Sequence, residues 1–92
     1  MLHLIAYDIT EPKRLRRVAK LCEDYGVRVE RSVFECDLPD CTMSEFWGRL
    51  CDIVNADEDY VLDYRIDAID RKHIRRIGRM DDTLSADDLI VL

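Results

Sequence analysis

Between residues 27 and 38 the inward-facing candidates change parity. Val27 and Val29 alternate on odd numbers, whereas Ser32, Phe34, Cys36 and Leu38 alternate on even ones. Successive side chains of a strand point to opposite faces, so a strand that changed phase would turn its core residues outward. A bulge or a break near Arg31 resolves the conflict. The segment is therefore one kinked strand or two short ones, and any fold for this chain must accommodate that interruption.

The flanking segments narrow the choice. Residues 2–8 (LHLIAYD) are an apolar run that ends at an acid, which predicts a buried strand. Thr10 is placed to cap the next helix, and Pro12 suits its first turn. Leu15, Val18, Ala19, Cys22 and Tyr25 then recur at helical spacing, and Gly26 stands where a left-handed residue commonly ends a helix. Pro39 and Asp40 predict a turn, and Met43, Phe46, Trp47, Leu50, Ile53 and Val54 predict a second helix over 43–55. Beyond the acidic turn Asp57-Glu58-Asp59, a further strand alternates Tyr60, Leu62, Tyr64 and Ile66 with Val61, Asp63, Arg65 and Asp67. A short strand is expected around 73–77 and a loop over 79–87. The terminal run Leu89-Ile90-Val91-Leu92 is too short for a helix and calls for a sheet edge, in this chain or in a second copy. The pattern is α+β, a small sandwich with two helices packed on one sheet. It forms one domain over 1–92, with 1–78 as its core and 79–92 as a loop and C-terminal strand.

At 92 residues the core is limited. A domain this small buries about 60–65% of the surface its unfolded chain exposes, and dimerisation is a natural way to enlarge that fraction. No run of about 18 apolar residues is present, so no membrane span is expected. The opening MLHLIAYD lacks a basic region and reads as a strand rather than a signal peptide, which points to the cytoplasm and to reduced thiols. Of Cys22, Cys36, Cys41 and Cys51, none forms a C-x-x-C pair, and Cys22 and Cys51 fall in apolar helical stripes as small core residues.

The net charge of −6 argues against a general nucleic-acid binder, but the charge is unevenly spread. Residues 13–20 hold Lys13, Arg14, Arg16, Arg17 and Lys20 without an acid. Residues 71–79 hold Arg71, Lys72, Arg75, Arg76 and Arg79, again without an acid. In 37–63, eight acids face one base, Arg49. Such a chain can present one face to a polyanion and another to a basic partner.

Asp8, at the end of the first strand, is the first candidate for chemistry. Magnesium usually takes one or two carboxylates besides water and phosphate oxygens. One chain supplies no second acid at a diagnostic spacing, whereas a two-fold dimer facing Asp8 against its own copy supplies two. A turn or capping role for Asp8 is the alternative. Arg14, Arg16, Arg17 and Lys20 either hold phosphates or simply solvate a helix face. Ser32 has no histidine–acid arrangement that would mark a nucleophile, and Phe34 is either a base-stacking ring or core.

Tyr7-Asp8-Ile9, the basic helix Arg14-Leu15-Arg16-Arg17-Val18-Ala19-Lys20, and Tyr25-Gly26-Val27-Arg28-Val29-Glu30-Arg31-Ser32-Val33-Phe34-Glu35-Cys36 together resemble the CRISPR-associated Cas-two family. Order and spacing match over residues 1–38, and the second half matches more loosely, through element order, Ile77-Gly78 and the apolar tail. The resemblance implies a ferredoxin-like homodimer in which 27–38 is split into two strands. It implies one magnesium ion held by Asp8 of both chains, with Tyr7, Arg16, Arg17, Arg28, Ser32 and Phe34 around that site. Lys13, Arg14, Arg16, Arg17 and Lys20 are then the nucleic-acid contacts, and the tail is the segment that pairs across chains and docks the CRISPR integrase of the Cas-one family. Glu30 departs from the family's frequent glutamine and adds an acid near the expected phosphates. Three readings follow: a metal-dependent endonuclease acting on DNA or single-stranded RNA, a non-catalytic DNA-binding scaffold for spacer acquisition, or a toxin-like ferredoxin-fold RNase outside CRISPR.

Overall fold

Strand β1 (Leu2–Asp8) runs through the middle of the sheet, as its continuous apolar run requires. The computed structural model describes residues 1–78. Within them follow α1 (Pro12–Tyr25), β2 (Val27–Glu30), β3 (Val33–Asp37), α2 (Asp40–Ile53), β4 (Tyr60–Ile66) and a helical turn α3 (Ala68–Arg71). The strand order is β2-β3-β1-β4, with every neighbouring pair antiparallel. β3 lies between β1 and β2, the split β-α-β arrangement of ferredoxin-like domains. The expected loop at 79–87 and the terminal strand lie outside the described residues.

Both long helices cover the same face of the sheet. Ile5 and Tyr7 of β1 and Phe34 and Cys36 of β3 meet Val18, Ala19 and Cys22 of α1 and Met43, Phe46 and Leu50 of α2. Tyr25 and Phe46 stack with ring centroids 4.5 Å apart and join the two helices. Phe34, Phe46, Ile5, Leu50 and Val18 are among the largest side chains fully withdrawn from water. Each contributes about 1.5–3 kcal/mol of transfer free energy.

The interruption between 27 and 38 is real, and it takes two forms. A turn at Arg31-Ser32 separates β2 from β3, and the register slips between Arg28 and Glu30, so a bulge and a break both occur. The parity expected for β2 is inverted, however. Arg28 pairs with Phe34 and is buried, while Val27 is 55% exposed. A paired guanidinium has displaced an apolar side chain from the inner face, which apolar alternation alone does not reveal.

Other expectations also change. Glu11, not Thr10, caps α1: its carboxylate accepts from the Lys13 N–H at 2.7 Å and the Arg14 N–H at 3.0 Å. Gly26 is extended, with φ −159°, rather than left-handed. Its glycine identity comes from crowding, because a Cβ there would overlap Cys36 Sγ and lie 2.5 Å from the Glu35 carbonyl oxygen. Helix α2 begins at Asp40, with Pro39 as its cap residue, so the expected turn is the helix start itself. Cys22 is core, as is Cys36, but Cys51 is exposed, so it does not fill the core. No strand forms at 73–77; that stretch, beyond the end of α3, is irregular.

Candidate functional site

Alternation along β1 sends His3, Ile5 and Tyr7 beneath the helices and Leu2, Leu4, Ala6 and Asp8 to the opposite face. Register carries this into β4: Ile66 lies opposite Leu2, Tyr64 opposite Leu4, Leu62 opposite Ala6 and Tyr60 opposite Asp8. The apolar side of β4 therefore lies on the sheet face that α1 and α2 leave uncovered. Tyr60 and Tyr64 are 62% and 58% exposed there. Residues 71–76 fold over the far end of this face, where Arg71 reaches Asp37 at 2.7 Å and Arg76 reaches Glu35 at 2.6 Å. Asp8 and Tyr60, at the other end, remain exposed. Among the described residues no side chain hydrogen-bonds to Asp8 or pairs with it.

Tyr7 and Asp8 thus part company across the sheet. The Tyr7 hydroxyl donates to the Arg31 carbonyl at 3.4 Å, and the Tyr7 N–H donates to the Ser32 carbonyl at 3.1 Å. Its ring stacks near Phe34, with centroids 6.3 Å apart. Burial pushes its phenol well above the ordinary range. The Arg28 guanidinium lies 5.0 Å from the Phe34 ring centre and donates to Glu23 at 3.1 Å. Tyr7, Arg28 and Phe34 therefore form an interior cluster that staples the β2–β3 turn against the end of β1. Phe34, fully buried, is core rather than a stacking ring. Ser32 is half-buried and contributes its carbonyl to that staple.

The basic helix is also sorted by its surroundings. Arg14 is drawn inward: its Nε donates to Asp59 at 2.8 Å and its Nη2 to Glu58 at 3.0 Å and to the Thr10 hydroxyl at 3.3 Å. The Asp59 side chain has no exposed surface. It also accepts from the Asn55 N–H at 2.9 Å and the Thr10 N–H at 3.0 Å. The Arg14 guanidinium above all, with these backbone donors, holds the Asp59 carboxyl far below the usual carboxylate range. Arg14, expected among the nucleic-acid contacts, is instead a structural cation. Lys13, Arg16, Arg17 and Lys20 have no carboxylate partner among the described residues. The N-terminus of α1 is already occupied by the Glu11 carboxylate, so polyanion contacts from this helix come from side chains rather than from free helix-end N–H groups.

Three residues here escape a reading of the sequence. Arg31 is exposed on the turn stapled to Tyr7, Asp59 anchors the loop before β4, and Tyr60 stands beside Asp8. Strand parity alone separates Tyr7 from Asp8, but only register places Tyr60.

An open antiparallel sheet ordered β2-β3-β1-β4, with two helices on one face and an acid at the end of its central strand, defines a ferredoxin-like α+β protein. This chain belongs to the CRISPR associated protein Cas2 family, whose model matches residues 1–74. It is 36% identical over 93 residues to CRISPR-associated endoribonuclease Cas2 1 of Chloroflexus aurantiacus, covering 100% of both chains. It is 35% identical over 80 residues to CRISPR-associated endoribonuclease Cas2 1 of Moorella thermoacetica, covering 82% of this chain and 83% of that one. The crystal structure of Streptococcus pyogenes Cas2 superposes with a TM-score of 0.75 at 36% identity, covering 85% of this chain and 100% of that one. No helix among the described residues is long and apolar enough to cross a membrane.

Proposed function

We propose that this protein is a homodimeric, magnesium-dependent endonuclease of CRISPR adaptation that cuts phosphodiester bonds of RNA or DNA in the cytoplasm and bridges the integrase of the Cas-one family. The observation that carries the reading is the Asp8 carboxylate, exposed at the margin of an uncovered sheet face and without a partner among the described residues. Leu4, Ala6 and Leu62 beside it are only partly buried, and a second copy laid against this face would withdraw them from water. Among the described residues no group of three or more acids, histidines and cysteines is arranged to hold a metal. A hard divalent cation fits this donor chemistry when two Asp8 carboxylates meet across the dimer axis, with water and phosphate oxygens as the remaining ligands. The ion would supply Lewis acidity and a more acidic water for hydrolysis. The chain's own contribution is to orient the carboxylate through β1 and to neutralise substrate phosphates with Arg16, Arg17, Lys13 and Lys20. The interior cluster of Tyr7, Arg28 and Phe34 holds the end of β1 in place.

The relatives named as endoribonucleases support a nuclease reading over a purely scaffolding one. The test is cleavage of single-stranded RNA and duplex DNA by wild type and Asp8→Ala, each with and without magnesium, alongside light scattering. The expected result is a dimer mass for both proteins and metal-dependent cleavage by wild type alone. Cleavage that survives Asp8→Ala would refute the assignment. Full DNA binding without any cleavage by wild type would favour the scaffold.

A further inference from the structure

We propose that the cleft between α2 and β4 receives an arginine side chain of a partner protein, with its guanidinium bonded to Asp63 and lying against the Trp47 ring. Met43, Ser44 and Trp47 of α2 and Asp63 of β4 line a pocket of about 310 Å³ there. Register sets Asp63 opposite Ile5, on the helix-covered side of the sheet. The pocket therefore lies away from the face that the second copy of the proposed dimer would cover, and neither Asp8 nor the basic residues of α1 line it. Asp63 is held from behind, where buried His3 donates from Nδ1 to Asp63 Oδ1 at 2.7 Å. Among the described residues Asp63 Oδ2 has no hydrogen-bond partner, and the carboxylate keeps 26% of its side-chain surface. Trp47, 37% exposed, likewise has no hydrogen bond or ring contact among them.

The occupant follows from that chemistry. An aromatic face attracts a cation, and a carboxylate oxygen accepts from a guanidinium. Arginine carries a flat charged group on an apolar stem, which suits the ring, the carboxylate and Met43 together. The charge around the pocket agrees. Asp40, one turn before Ser44 on the same side of α2, adds a second acid. Arg49, the one base of that helix, turns away to Glu45 and the Tyr25 ring. Arg65 shares the Asp63 face of β4 yet forms no ion pair among the described residues, so the free carboxylate oxygen is not taken from within them. A carboxylate already oriented by His3 loses little freedom when a guanidinium binds it.

The experiment uses the full chain and two probes, acetyl-arginine amide and acetyl-citrulline amide. Citrulline replaces the guanidinium by an uncharged urea of nearly equal shape. Trp47 is the single tryptophan of the sequence, so its emission reports on the pocket without a label. The arginine probe should shift that emission saturably, and the amide NMR signals it moves should cluster in 43–47 and 61–65. The citrulline probe should bind about 10-fold more weakly or less. Asp63→Asn, which can still accept from His3, should weaken the arginine probe about 10-fold, and Trp47→Leu, followed by NMR, about 2- to 5-fold. Equal binding of the two probes overturns the proposal, as does undiminished binding by Asp63→Asn or the lack of a saturable change in wild type. A fall in solution mass for Trp47→Leu also overturns it, because the ring would then be a contact between copies. If a variant fails to fold, the comparison of the two probes on wild type decides.

Discussion

Replacing Asp59 by alanine should be the most destabilising single change on the polar side of this molecule. The carboxylate is fully withdrawn from water, while its partner Arg14 keeps 20% of its side-chain surface. Alanine would hand the exposed Asn55 and Thr10 N–H groups to water and leave Arg14 with Glu58, which is 55% exposed. Hydrogen bonds to charged groups contribute about 1.5–3 kcal/mol each where they are withdrawn from water, and exposed ion pairs about 0–1 kcal/mol. Arg14 is partly exposed and Thr10, Asn55 and Glu58 around the pair are exposed, which places the expected loss at about 2 kcal/mol. For a domain of this size, about 4–8 °C per kcal/mol gives a fall in Tm of about 8–16 °C. Acid should narrow the difference. Because the folded-state carboxyl is held below its usual range, its contribution is fully present above the unfolded value of about 3.9. That contribution is lost as pH falls toward the folded value. Urea denaturation of wild type and Asp59→Ala should therefore give a level difference from about pH 5 to 8 that shrinks below about pH 4. A loss below about 1 kcal/mol at pH 7, or a difference that widens in acid, would refute this account of the loop.

Gly26→Ala should destabilise by about 3 kcal/mol or more, because the added methyl group meets both Cys36 Sγ and the Glu35 carbonyl oxygen, one of them backbone; calorimetry showing an unchanged Tm would remove the crowding argument. Arg16→Ala with Arg17→Ala should lower the salt slope of duplex binding by about 0.9 for each phosphate that the two side chains no longer neutralise. Arg14→Ala should leave that slope unchanged while lowering Tm, since its guanidinium is committed to Asp59 and Glu58; equal slopes for all three proteins would contradict the sorting of these arginines.

Much of the scaffold is legible in the sequence because it follows single periodicities. The apolar run of β1, the stripe of Val18, Ala19 and Cys22, and the alternation of β4 each stand out without knowledge of any partner. What escaped depends on pairings between distant segments. Arg28 lies inside because Glu23 and the Phe34 ring receive it, while counting apolar positions pointed to Val27 instead. Thr10 looks like a cap until Asp59 claims it from far along the chain. Gly26 fits a left-handed helix end equally well until β3 crowds it. At the site, Asp8 could be singled out as a strand-end acid, but its neighbour Tyr60 emerges only from the register of β1 against β4.

The central place of β1 has a consequence for synthesis. His3 and Asp63, which meet across β1 and β4, are 60 residues apart in the chain. At about 5–20 residues per second, the ribosome needs about 3–12 s to make that span. Throughout that interval the first strand has β3 as its earliest available neighbour and one side without a ladder. Leu4 and Ile5 then sit on an open edge of the kind that recruits other chains. The nascent protein is thus most vulnerable to aggregation just before its last described strand appears, and variants that slow translation between α2 and β4 should reduce yield without altering the folded molecule.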